Sequence, residues 1–139
     1  MTFMYFFSPL FGYLFAGTLK FIIRSIKYGK IELRLMGMGG MPSNHTTIVT
    51  TPLTLIIINE GIDHPLVGLG MALLVIVIID ALDLRRKISK HAVIINRLNQ
   101  SKNFLRENIG HNIFEIIGGI LTGILTGFIY SFLFRHFFG

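Results

Sequence analysis

Two histidines in this sequence lie beside residues that suit nucleophilic and acid–base chemistry. His111 precedes Glu115 by four positions, so on a helix the imidazole and the carboxylate share a face. A carboxylate bonded to one ring nitrogen fixes the tautomer and makes the other nitrogen a better nucleophile or base. The second histidine, His45, follows Ser43, which can cap a helix that begins near His45. The backbone N–H groups at such a helix start favour an anion.

A pair of arginines suits the same anion. Arg85 and Arg86 are adjacent, and paired arginines suit bidentate phosphate binding, with Asp80 or Asp83 to hold them in place. Basic residues directly after an apolar segment are also an ordinary cytoplasmic anchor. A second enzymatic interpretation takes the two aspartates as a metal pair, which an Asp-x-x-Asp pattern supports only weakly.

The composition predicts a membrane protein. Of the 139 residues, 52% are hydrophobic and 14% are charged, which is too apolar for one small water-soluble core. Residues 3–26 and 112–134 are long enough to span a bilayer. Residues 46–59 and 65–81 are shorter, so they must tilt, pack inside the bundle or use flanking residues. We predict an all-α integral membrane bundle of about four transmembrane helices, forming a single domain over residues 1–139.

The basic residues are concentrated on one side of this predicted bundle. The loops 27–44 and 82–110 hold ten of them, whereas the opposite side holds Arg135. The ten are Lys27, Lys30, Arg34, Arg85, Arg86, Lys87, Lys90, Arg97, Lys102 and Arg106. Both loops are therefore predicted to be cytoplasmic, with both termini outside and the protein in the inner membrane. Topology and anionic headgroups explain the net charge of +6 better than nucleic acid does.

The same topology brings the candidate residues to one membrane face. His45, Arg85, Arg86 and His111 all fall on the cytoplasmic side, beside the basic end of the first span, where Lys20 and Arg24 lie one turn apart. Residues 84–108 mix apolar and basic side chains at spacings that predict an amphipathic helix at the interface. Histidines, cations and helix N-termini around one site favour a phosphate group and its transition state.

These residues carry a family resemblance. The sequence resembles the divergent membrane branch of the type 2 phosphatidic acid phosphatase superfamily, which also includes the vanadium haloperoxidases. The resemblance runs from about residue 20 to 127. It rests on Gly-Gly-Met-Pro-Ser-Asn-His (39–45), Glu60-Gly61, Asp80-Ala81, Arg85-Arg86, and Arg-Glu-Asn-Ile-Gly-His (106–111) with Glu115.

The resemblance implies roles for individual residues. A histidine in the last motif attacks phosphorus and an acidic residue four positions later orients it, which gives these roles to His111 and Glu115. The histidine of the Pro-Ser-x-His motif, His45 here, protonates the leaving oxygen. A lysine and a basic residue seven positions later hold phosphate, matching Lys20 and Lys27. The phosphatase chemistry that the resemblance implies needs no metal or other cofactor.

The sequence also departs from the family pattern. Arg106 lies five residues before His111 rather than six, so we expect Arg85 and Arg86 to replace it as phosphate ligands. Asn44 occupies a position where a small residue is common. We place the following residues at the substrate: Lys20, Lys27, Ser43, Asn44, Asp80, Arg85, Arg86 and Arg106.

The resulting prediction is a metal-independent phosphatase. It hydrolyses a phosphate monoester or pyrophosphate of a prenyl or phosphatidyl lipid through a phosphohistidine at the cytoplasmic face. Its partners are the lipid substrate and the bilayer, not nucleic acid, and a homo-oligomer is compatible with the sequence. Two alternatives stay open: a metal-dependent phosphotransferase or prenyl-transfer enzyme that uses Asp80 and Asp83, and a non-catalytic lipid-binding subunit that associates through Gly119, Gly123 and Gly127.

Overall fold

The helices of the computed structural model follow the apolar segments of the sequence. The structure describes residues 2–29, 31, 40–98 and 104–138, so Gly39, Lys30, Arg34 and Lys102 lie outside the described residues. The helices are α1 (Thr2–Tyr28), α2 (Asn44–Glu60), α3 (Pro65–Ile79), α4 (Arg85–Leu98) and α5 (Ile113–Phe138), and the π-helical segment Asp80–Leu84 joins α3 to α4. The predicted all-α membrane bundle is confirmed.

Three helical stretches of the described chain are long and apolar enough to cross a membrane: Phe3–Tyr28, Pro65–Leu98 and Ile113–Phe137. The shorter α2, with 17 residues, is not among them. It packs against α1, α3 and α5 and so lies at the centre of the bundle. The sequence allowed a short apolar segment to tilt, to pack inside the bundle or to use flanking residues, and α2 packs inside the bundle.

The centre of the bundle is an unusually polar contact between α2 and α5. Five threonines of α2 are buried, and the hydroxyls of Thr47, Thr50, Thr51 and Thr54 each donate to the carbonyl four residues earlier. This internal bonding satisfies them without water. Glycines of α5 accommodate the threonine side chains, since a Cβ on Gly123 would lie 2.5 Å from Thr50 Cβ. The glycine stripe thus packs within the molecule.

Hydrogen bonds at one end of the bundle bring the two termini close to the turn after α2. Tyr5 Oη donates to Glu60 Oε1 at 2.6 Å, joining the start of α1 to the end of α2. The Arg135 guanidinium donates to Asn59 Oδ1 at 2.6 Å, which brings the end of α5 to the same place. The N-terminus, the 59–64 turn and the C-terminus therefore share one end, and the candidate catalytic residues occupy the other.

The helix predicted over residues 84–108 is present as α4, but it is shorter than predicted. Helix α4 ends at Leu98, and residues 104–112, here called the return segment, are not helical. The buried amide of Asn96 holds this segment, because it both donates to Leu105 O and accepts from Leu105 N at 2.8 Å. The return segment is therefore held to α4 by side-chain hydrogen bonds rather than by the backbone bonds of a longer helix. It ends directly before α5, so it places His111 beside the start of that helix.

Candidate active site

His111 and Glu115 form the pair that the sequence predicts, but through a different local structure. His111 Nδ1 lies 2.7 Å from Glu115 Oε2, although α5 begins only at Ile113, after His111. Asn112 caps the helix: its Oδ1 accepts from Glu115 N at 2.8 Å, and its own N–H donates to Glu115 Oε2 at 3.3 Å. This reciprocal capping box fixes the carboxylate that holds the imidazole.

The backbone around His111 is fixed from two sides. The His111 N–H donates to Ala81 O at 3.2 Å, which ties the residue to the π-helical segment. The hydroxyl of Ser89 on α4 accepts from Ile109 N at 3.1 Å and from Gly110 N at 3.3 Å. The His111 side chain is 6% exposed, so its bond to Glu115 is largely shielded from water.

The predicted cap at Ser43 is present and connects His45 to α5. Ser43 Oγ accepts from Thr46 N at 3.5 Å and from the Thr46 hydroxyl at 2.9 Å. The Ser43 N–H donates to Glu115 O at 3.0 Å. The turn that carries His45 is therefore bonded to the same residue that orients His111. The neighbouring Asn44 has a buried Oδ1 that lacks a hydrogen-bond partner within the described part of the chain.

His45 lies in the first turn of α2, outside the three candidate spans, and interacts with the charges of the site. Partial burial lowers the pKa of the imidazole below its ordinary value, and the positive charge of Arg85 and the nearby His111 lower it further. Asp80 opposes this shift. The two histidines are therefore close enough to influence each other electrostatically, together with Arg85 and Asp80.

The two arginines take different positions. Arg85 Nε donates to Asp80 in a short ion pair across the π-helical segment. Arg86 instead lines an open cleft of about 340 Å³ beside His111. A Cβ on Gly110 would lie 2.6 Å from Arg86 Cγ, so glycine lets the return segment approach this arginine. Arg86 is thus the member of the pair that faces the cleft.

The basic residues of α1 also differ in their positions relative to the site. Lys20 is 3% exposed, and the charges of Glu115 and Arg106 act on it, which places it at the site. The Arg24 guanidinium reaches the loop before α2, where it lies 3.0 Å from the position of a Cβ on Gly40. Lys27 lies with its ammonium 5.7 Å from the centre of the Tyr28 ring. Lys20 therefore interacts with Glu115, whereas the contact that the structure gives for Lys27 is with the Tyr28 ring.

Sequence reasoning assigned site roles to only three of the nine residues that line the cleft. Besides Arg86, His111 and Glu115, the cleft is lined by Ser89, Lys90, Glu107, Asn108, Gly110 and Asn112. The Asn-x-x-Glu pattern that starts at Asn112 is a readable capping signal. The others enter the cleft only because the return segment folds back on α4, and no local pattern announces that contact.

The aspartates proposed as an alternative metal pair are both engaged by cations. Asp80 pairs with Arg85, and Asp83 pairs with Lys87 at 2.9 Å. In the ranges that the structure describes, no three histidine, aspartate or glutamate side chains are grouped as metal ligands. A metal at this aspartate pair would have to displace two cations.

Comparisons with known proteins agree with the membrane assignment. A family model described as "Divergent PAP2 family" matches residues 2–126. The chain is 30% identical over 132 residues to "Uncharacterized membrane protein YuiD" from Bacillus subtilis (strain 168), an alignment that covers 81% of this chain and 84% of that protein. No solved structure matches the chain significantly.

Proposed function

Because the chain belongs to the divergent PAP2 family, we propose that it is a metal-independent phosphatase of membrane lipids. The substrate is a phosphate monoester or pyrophosphate of a prenyl or phosphatidyl lipid. The charge distribution supports a site at the cytoplasmic face of the inner membrane, with both termini outside.

One observation carries this proposal: the shielded hydrogen bond between His111 Nδ1 and Glu115 Oε2. It leaves Nε2 as the nitrogen for a substrate and stabilises the positive charge that the ring gains on attack. The cleft beside this ring also contains the guanidinium of Arg86. An oriented imidazole beside fixed cations is what transfer of a phosphoryl group to nitrogen requires.

The proposed reaction has two steps. In the first, His111 Nε2 bonds to phosphorus, the bond from phosphorus to the lipid oxygen breaks, and protonated His45 gives its proton to that oxygen. In the second, neutral His45 takes a proton from water as the water oxygen attacks phosphorus, and inorganic phosphate leaves His111. Lys20 and Arg86 offset the charge on the phosphoryl oxygens in both steps.

Phosphate release from defined lipids tests the proposal. The full chain in detergent micelles is incubated with prenyl monophosphate, prenyl diphosphate and phosphatidic acid, and inorganic phosphate is measured with and without EDTA. We expect release from at least one lipid and the same rate in EDTA. If no lipid releases phosphate, or if EDTA abolishes the release, the proposal is rejected.

The lowered pKa of His45 predicts a pH dependence. Because protonated His45 is the acid, kcat/KM should fall as the pH rises through the pKa of this group. Arg85→Gln removes a positive charge that lowers this pKa and leaves Asp80, which raises it. The alkaline limb of the profile should therefore move to higher pH in Arg85→Gln.

The control is Lys87→Gln, which removes an exposed cation paired with Asp83. The pH profile of this variant should keep its wild-type midpoint. An unchanged alkaline limb in Arg85→Gln, or equal shifts in both variants, would contradict the role of His45 as the acid.

A further inference from the structure

The cleft beside His111 contains a group that phosphate binding alone does not need. Its α4 wall carries Arg86 and Lys90, which are four residues apart and so share a helix face. Its other wall, from the return segment, carries the carboxylate of Glu107 and the amide of Asn108. Two cations suit a phosphate, whereas a carboxylate repels one.

The carboxylate of Glu107 is held in place. Asn96 is only 8% exposed, and its Nδ2 donates both to Glu107 Oε1 and to Leu105 O, each at 2.8 Å. Its Oδ1 accepts from Leu105 N at 2.8 Å, so the whole amide is engaged. A buried amide whose nitrogen and oxygen are both hydrogen-bonded fixes its partners. Glu107 therefore belongs to the wall of the cleft, and among the described residues no hydrogen bond to its Oε2 is present.

The charges across the cleft are arranged for a ligand of mixed character. Within the described residues, the ion pairs at this end of the bundle are Asp80 with Arg85, Asp83 with Lys87 and Glu115 with His111, so Glu107 is joined to neither Arg86 nor Lys90. An ionised carboxylate only accepts hydrogen bonds, so it selects hydroxyl or ammonium donors. The guanidinium and the ammonium select anionic oxygens.

From this arrangement we infer that the cleft binds a hydroxyl-bearing headgroup whose terminal phosphate ester is the one cleaved. Arg86 and Lys90 bind the phosphate, and Glu107 accepts a hydrogen bond from a hydroxyl on the carbon chain that carries it. The substrate class is then a lipid whose phosphate is attached to a polyol. This inference rests on the proposed phosphatase function, and it makes Glu107 a specificity-determining residue.

Two soluble probes separate the hydroxyl contribution from the phosphate contribution. Binding of sn-glycerol 3-phosphate and of methyl phosphate to the full chain is measured by titration calorimetry, with His111→Asn as the common background to prevent turnover. The background protein should bind glycerol phosphate about tenfold more tightly, the effect of one hydrogen bond to a charged acceptor. Adding Glu107→Ala should remove this preference, and adding Glu107→Gln should retain part of it.

The control variant is Asp83→Ala, which removes an exposed carboxylate paired with Lys87 rather than one on the cleft wall. It should leave the preference for glycerol phosphate unchanged. Equal affinity for the two probes, binding of neither, or a preference that survives Glu107→Ala would overturn the inference.

Phosphate release by the wild-type preparation distinguishes the two proposals. Release from a simple lipid phosphate without any preference between the soluble probes rejects the polyol subsite alone. A preference that depends on Glu107, together with no release from any lipid phosphate, rejects the phosphatase function and leaves a binding site for phosphorylated polyols.

Discussion

Replacing His111 by asparagine is expected to lower kcat for lipid phosphate hydrolysis by at least about a thousandfold, because the variant lacks the nitrogen that attacks phosphorus. Glu115→Gln should have a smaller but still large effect, since the amide keeps the size of the side chain and loses the charge that stabilises the imidazolium. The measurement is inorganic phosphate released from the best lipid of the panel, with thermal unfolding recorded for each variant.

The matched control is His91→Asn, which changes an exposed histidine on α4. It should keep wild-type activity. Rapid acid-free quenching with a labelled lipid should also trap a phosphorylated chain in the wild type and not in His111→Asn. If His111→Asn unfolds at the same temperature as the wild type and retains more than a tenth of the wild-type activity, His111 is not the nucleophile.

Much of the architecture is predictable because it depends on local properties of the sequence. Apolar runs located the helices, since a bilayer demands continuous hydrophobic segments of a defined length. The cap at Ser43 was predicted from its position before α2, and the structure contains it. The His111–Glu115 pair was predicted from its spacing, and the contact exists although His111 precedes the helix.

The parts that failed depend on contacts between segments that are separate in the sequence. The composition of residues 84–108 suits a helix, and nothing local shows that Asn96 will bond to Leu105 and end it. Arg85 and Arg86 point in different directions because adjacent residues of a helix do not share a face. Which of the two faces the cleft depends on how the return segment packs against α4, and no sequence pattern announced that packing. The cleft is formed by α4 and the return segment, whose packing could not be predicted, so most of its lining residues could not be predicted either.

The buried position of α2 connects the stability of the bundle to the site. Buried threonines make α2 less suited to face lipid, and the glycines of α5 let the two helices approach closely enough to enclose it. The same interface contains the bond from Thr47 Oγ1 to Gly119 O at 3.0 Å and, one turn closer to the site, the bond from Ser43 N to Glu115 O. Separation of α2 from α5 would therefore displace His45 relative to His111.

This connection predicts that Gly123→Ala harms both stability and activity. The new Cβ would lie 2.5 Å from Thr50 Cβ and 3.2 Å from Thr47 O, so α5 must move away from α2. We expect a loss of about 1–3 kcal/mol in the free energy of unfolding, measured by denaturation in detergent. Lipid phosphatase activity should fall as well, although Gly123 lies two turns away from Glu115.

Gly68→Ala is the matched control for this prediction, because a Cβ on Gly68 in α3 meets no atom within 4 Å. It should leave stability unchanged or raise it by up to about 1 kcal/mol, through the better helix propensity of alanine. If Gly123→Ala is as stable and as active as Gly68→Ala, the threonine–glycine contact does not hold α5 against α2. The positions of His45 and His111 would then depend on the Ser43–Glu115 bond and the return segment alone.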